Sequence, residues 1–310
     1  MTKRIFFLFS AAALLSPVAA SRPSLAQQGP AATSTAPELG YADLADLVIA
    51  SPLVVDATIR SASRIKGAEA AGLAPGKARF YVEADVTTLV RGATAIPARV
   101  GWVVDVAPDW RGRVPSLKKR RVLAFARPVA GQAGQIQLVE PGAQHDWSAA
   151  LEQRVRAVAS EIAAPDAPPV VTDIGNAFHV PGALPGEGET QIFLRTRDNR
   201  PAALSILRRP GEQPRWSVAL SEIIDDSAPT PKRDTLLWYR LACALPATLP
   251  ERSTASLGPD DATQAQADYA YVSEQLGPCR AAPPAAAAPV SADAGTGCRP
   301  SPPPPRRWRV

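Results

Sequence analysis

Histidine, methionine and cysteine are scarce in this 310-residue chain, which has two, one and three of them. Two histidines exclude a His-rich metal site, and three cysteines exclude a small scaffold held by dense disulfides. The cysteines are spaced 36 and 19 residues apart with no histidine nearby, which is no zinc pattern. Long hydrophobic runs are also missing. After the N-terminus the most apolar stretch, Leu236 to Leu249, is short and carries Arg240. G-x-S-x-G, H-E-x-x-H, P-loop, G-x-G-x-x-G and EF-hand patterns do not occur. Their absence leaves the chain without the sequence signal by which those reaction classes announce themselves. No cofactor and no metal are expected.

An apolar fraction of 46% suits a globular protein, and 33 prolines, about twice the usual share, call for long irregular stretches. Lys3 and Arg4 followed by the apolar run Ile5 to Leu15 predict a signal peptide over residues 1–26. Small residues stand at two cleavage sites, Val18-Ala19-Ala20 and Ser24-Leu25-Ala26. About 11 apolar residues are too few to span a bilayer, so a soluble, exported product, periplasmic or secreted, is expected. No transmembrane segment is expected once the signal is cleaved. Removing the signal lowers the net charge from +5 to +2, and the last 30 residues hold +3 of that, leaving the body at −1. The basic excess thus lies at the two ends, and the body offers no electrostatic case for nucleic acid.

Residues 27–40 read as a flexible leader. Tyr41 to Ala50 carries Leu44, Leu47 and Val48 at helical spacing, with Asp43 and Asp46 near its start and Pro52 just beyond it. Five runs rich in β-branched and aromatic residues follow: 53–61, 79–90, 99–107, 120–128 and 135–140. Asp146 is the predicted N-cap of a helix to Ala163, whose Leu151, Val155, Val158 and Ile162 form one stripe. Residues 41–163 are therefore expected to form a five-stranded, barrel-like domain with a closing helix.

After a proline-rich boundary at 164–169, residues 170–279 read as a meander plus a helix pair. The strands are 191–196, 202–208 and 215–222. Ile192, Leu194, Leu204, Ile206, Trp216, Val218 and Leu220 are the inward candidates at a period of two. Asp234 caps a helix to Leu245, and Asp260 or Asp261 caps one to Leu276. Cys243 and Cys279 would staple those helices, and Cys298 is left over. The fold class is thus α+β and β-rich: a small OB-like barrel or bent sheet, then an antiparallel meander packed with two helices. The segment 281–310, with eight prolines, is expected to be a disordered tail. Arg306, Arg307, Trp308 and Arg309, after a polyproline run, make its tip a candidate interaction site.

Candidate chemistry is sparse. His145 beside Asp146 and His179 within Asn176 to Gly182 are the catalytic candidates; the first pair also reads as a helix cap with a surface histidine, and the second as a histidine hydrogen-bonded where the chain enters a sheet. Ser116 and Lys119 match S-x-x-K without its S-D-N and K-T-G partners. Gly186-Glu-Gly188 suits a hairpin entry, and Asp225-Asp226 and Asp260-Asp261 suit caps or turns better than calcium. The basic run from Lys118 to Arg121 suits the solvated start of a strand.

Asp46-Leu-Val48 before LVVDATIRS, a second strand ending Leu89-Val-Arg-Gly92, and a late Val122-Leu-Ala-Phe125 strand form a series over residues 41–128. In this series the chain resembles the netrin-type module shared with the tissue inhibitors of metalloproteinases. That resemblance implies an OB-like barrel. The module's several disulfides and leading cysteine have no counterpart, since no cysteine precedes Cys243, so its protease inhibition does not transfer. The expected function is non-catalytic binding in the cell envelope, to an envelope protein or ligand. The alternatives are an envelope hydrolase without a recognisable motif and a carrier of a small ligand.

Overall fold

The computed structural model describes residues 39–109, 111–221 and 230–280. The predicted signal peptide, most of the leader, Asp225-Asp226 and the basic tip of the tail lie outside them. The chain is α+β, with two antiparallel sheets and four helices. Helix α1, Tyr41–Ala50, buries Leu44, Ala45, Leu47 and Val48 and stops at Ser51, before the proline that cannot donate to it.

Six strands form the first sheet: β1 (Leu53–Ile65), β2 (Ala78–Arg91), β3 (Arg99–Val106), β4 (Arg121–Pro128), β5 (Ile136–Leu138) and β6 (Gln144–Asp146). Their order is β3-β2-β1-β4-β5, and β6 pairs with the first half of β4 while β5 takes its second half. Three register shifts along β1 and β2, at Val54/Val55, Asp56/Ala57 and Ile59/Ser61, bend this long hairpin. The sheet is open. A single parallel bridge, Gly101 to Gln135, joins its two edges in place of a ladder, so the bent sheet is present and a closed barrel is not.

Helix α2, Ala149–Ala163, begins two residues later than an N-cap at Asp146 would place it. β6 holds the backbone extended through Asp146, which ion-pairs with Arg120 instead, and Ser148 accepts the Leu151 N–H at 3.1 Å. Val155 and Val158 are buried against the first core, with Leu151 and Ile162 at its margin. Trp102, Phe125, Leu44 and Ile59 are the largest side chains in that core, each contributing roughly 1.5–3 kcal/mol.

The second sheet is a meander of β7 (Val171–Pro181), β8 (Gly188–Thr196), β9 (Ala203–Arg208) and β10 (Arg215–Ala219). Strand β7, which the alternation does not announce, includes the His179 segment, and His179 is hydrogen-bonded there as the sheet-entry reading expects. A register shift between Ile174 and Ala177 interrupts its alternation and so hides it from a period of two. Ile192, Leu194, Leu204, Ile206, Trp216 and Val218 are buried as their alternation predicts, whereas Leu220 lies past the end of β10 and is 38% exposed.

Helices α3, Leu236–Ala242, and α4, Pro259–Leu276, cover this sheet's inner face. Their caps differ from expectation. Thr235, not Asp234, accepts the Trp238 N–H at 3.3 Å, because Asp234 is turned to φ 62°. Gly258 caps α4, which starts with Pro259 and places Asp260 and Asp261 inside its first turn, where they complement the dipole. Cys243 and Cys279 lie at disulfide distance with Cα atoms 4.9 Å apart, joining the ends of α3 and α4. Glu161 of α2 accepts the Tyr41 hydroxyl at 3.2 Å and the Leu236 N–H at 2.7 Å, tying α1 and α3 to α2. Among the described residues no helix is long and apolar enough to cross a membrane.

Candidate functional site

His179 stands on the inner face of β7, opposite Thr190 of β8. Its Nδ1 lies 2.8 Å from the Thr190 hydroxyl, which donates to Asp268 on α4. Arg208 ion-pairs with the same carboxylate, and Gln264 reaches it at 3.2 Å. Thr190 and Asp268 are fully buried. The chain His179–Thr190–Asp268–Arg208 therefore satisfies a buried carboxylate and anchors the β7–β8 hairpin to α4. Gly188 makes room for it, since a Cβ there would sit 2.7 Å from His179 Cε1. Because Thr190 is buried and bonded on both sides, its hydroxyl is not open to a substrate. The arrangement orients an imidazole but does not present a nucleophile.

His145 is not paired with Asp146. Its ring packs edge-on against Phe125 at 5.8 Å, its Nε2 is buried without a hydrogen-bond partner, and burial pushes its pKa down despite Glu140 and Asp146. The two histidines sit on different sheets. Ser116 and Lys119 lie in an irregular loop, with Lys119 at φ 67°, so the helical setting their spacing would require is missing. Among the described residues no group of three histidine, cysteine or acidic side chains could hold a metal ion.

The larger opportunity is the unclosed edge of the first sheet. Gly101 N donates to Gly134 O at 2.8 Å, and Asp105 N donates to Pro141 O at 2.9 Å. Between these two pins β3 takes four residue steps and the segment carrying β5 takes seven. At about 3.3 Å per residue that is roughly 13 Å against 23 Å, so the longer side must bow away. The bow lines an open cavity of about 540 Å³.

Backbone alternation decides what faces this space. Gly101 and Asp105 turn their N–H groups to the seam, so Val103 between them does the same. On the other side Val139 N donates inward to Phe125 O at 3.0 Å, which turns the Leu138 N–H toward the gap. Both strands thus offer edge groups where no ladder continues. The side chains of Gln132, Gln135 and Gln137 add amides, and Trp102 forms part of the wall.

The cavity's charges are unequal in availability. Arg79 grips Asp105 through Nε and Nη2 at 2.7 and 2.8 Å, and these bonds raise the guanidinium's pKa. That pair is largely buried and neutral as a unit. Arg127 and Glu140, both exposed, supply the charge that can meet a ligand. One pin is crowded: Tyr81 accepts from Gln135 Nε2 at 2.8 Å, and its hydroxyl would lie 2.2 Å from a Cβ on residue 101.

None of these seam residues was a candidate from sequence, because the signal is a difference in path length between two strands that are distant along the chain. Arg306, Arg307, Trp308 and Arg309 lie outside the described residues. No protein-family model matches the chain, and no curated protein matches it.

Proposed function

We propose that this chain is an exported, non-catalytic binding protein that holds a small polar ligand in the open seam of its first sheet. The observation that carries the reading is the bowed segment between Gly134 and Pro141, which leaves strand-edge N–H groups and three glutamines around one cavity. Its volume of about 540 Å³ falls in the range of small-molecule sites. Amide side chains and peptide edges recognise both donors and acceptors, so an uncharged or singly charged polar ligand suits them better than a lipid tail. Export draws its support from the N-terminal apolar run and from the Cys243–Cys279 pair, since disulfides persist in oxidising compartments.

Native mass spectrometry of the protein isolated from its own compartment tests this. A small bound mass is expected, lost when Val103→Trp fills the cavity and weakened by Arg127→Ala. If no bound mass is seen, and panels of short peptides and saccharides show no saturable binding, the reading fails.

A further inference from the structure

Arg240 projects from α3 into a second, smaller cavity of about 190 Å³, shared with Arg197 and walled by Val170, Val171, Tyr239 and Cys243. Its Nε is buried and has no hydrogen-bond partner. Neither arginine makes an ion pair among the described residues. Arg200 next to them is already committed to Asp198 at 2.6 Å, and the Tyr239 hydroxyl is committed to Asp46. Two guanidinium groups of like charge, one of them partly desolvated, face a space that offers them no carboxylate. Such an arrangement is costly unless something completes it.

We propose that Arg197 and Arg240 form an anion site for a small carboxylate with a short apolar stem. The guanidinium fork matches a carboxylate's two oxygens. The remaining wall, Val170, Val171 and the Cys243 sulfur, is apolar and suits a stem. At roughly 30 Å³ per water the cavity holds about six waters' worth of space, which is a ligand on the order of six heavy atoms. Arg240 also sits in the last turn of α3, where a cation is favoured by the carbonyl end, but that leaves its Nε proton unused. Burial is the main cause that lowers the Arg240 pKa; the positive charges of Arg200 and Arg197 add to it, while Tyr239 and the nearby Asp198 push the other way, and a bound anion would add to that opposing push. The site is independent of the seam cavity.

The test titrates butyrate, acetate and inorganic phosphate into the full chain at constant ionic strength, with calorimetry and thermal melting as readouts. Saturable butyrate binding that raises Tm is expected, with acetate weaker. Arg240→Met and Arg197→Gln should each weaken butyrate about tenfold or more, the effect of losing one charge-assisted contact. Arg197 is exposed, so its variant keeps the test valid if Arg240→Met fails to fold. Absence of saturable binding by any probe, or unchanged affinity in Arg197→Gln, would overturn the site. Binding of phosphate without butyrate would overturn the carboxylate assignment.

Discussion

Arg121 lays its Nε and Nη2 on the two oxygens of Asp56, at 2.9 and 2.8 Å, while its guanidinium carbon stands 3.5 Å from the centroid of the Trp147 ring. Asp56 is fully buried in β1, and Trp147 in turn donates to Glu152 at 2.8 Å. The contact joins β1, β4 and the entry to α2. Arg121→Met should cost about 3 kcal/mol, because it leaves a buried carboxylate without its partner. Asp56→Asn in the same chain should restore part of that, as read by urea denaturation.

Stability should fall on acidification through His145. Its folded pKa is below the unfolded value of about 6.5, so the unfolded chain takes up the proton first. The contribution is full above pH 6.5 and is lost as pH falls from there through the folded value. Melting curves between pH 7.5 and 5 should show this decline, and His145→Phe should flatten it. An equally steep decline in the variant would remove His145 as the cause.

The His179–Thr190–Asp268 chain is assigned a structural role. Thr190→Val should cost roughly 1–3 kcal/mol by removing a donor from a buried carboxylate. His179→Ala, at the accessible end, should cost less and leave ligand binding in the seam unchanged. Loss of binding in His179→Ala with an unaltered Tm would reassign the histidine to function.

Gly101→Ala should disturb the seam itself. The new Cβ would meet the Tyr81 hydroxyl at 2.2 Å and its Cζ at 2.8 Å, so the ring must move and release Gln135. A loss of about 1–3 kcal/mol is expected, with weaker ligand retention than in Val86→Ala, a control substitution away from the cavity.

Reduction of Cys243–Cys279 should lower stability by about 3–4 kcal/mol on the chain-entropy account for its separation of 36 residues. A reversible drop in Tm with reductant, absent in Cys243→Ser, is the check.

Much of the secondary structure was legible because it rests on local chemistry. Apolar spacing and Pro52 place α1, alternation places β8 and β9, and the apolar stripe places α2. The caps expected at Asp146, at Asp234 and at Asp260 or Asp261, but found at Ser148, Thr235 and Gly258, show the limit of that approach. A capping side chain is recognisable, but which of several neighbours takes the position depends on where strand pairing or a turn releases the backbone. β7 was missed for a related reason, since an irregularity in pairing breaks the alternation that would have revealed it.

The sequence by itself determined the α+β class and the faces that become core. These follow from periodicities and residue types acting over a few positions. Only the tertiary structure decided that the first sheet stays open, that Thr190 meets Asp268 across 78 residues, and that Arg197 and Arg240 share one cavity. Each depends on how strands far apart in the chain match in length and register, and that matching is set by the packing of the whole sheet.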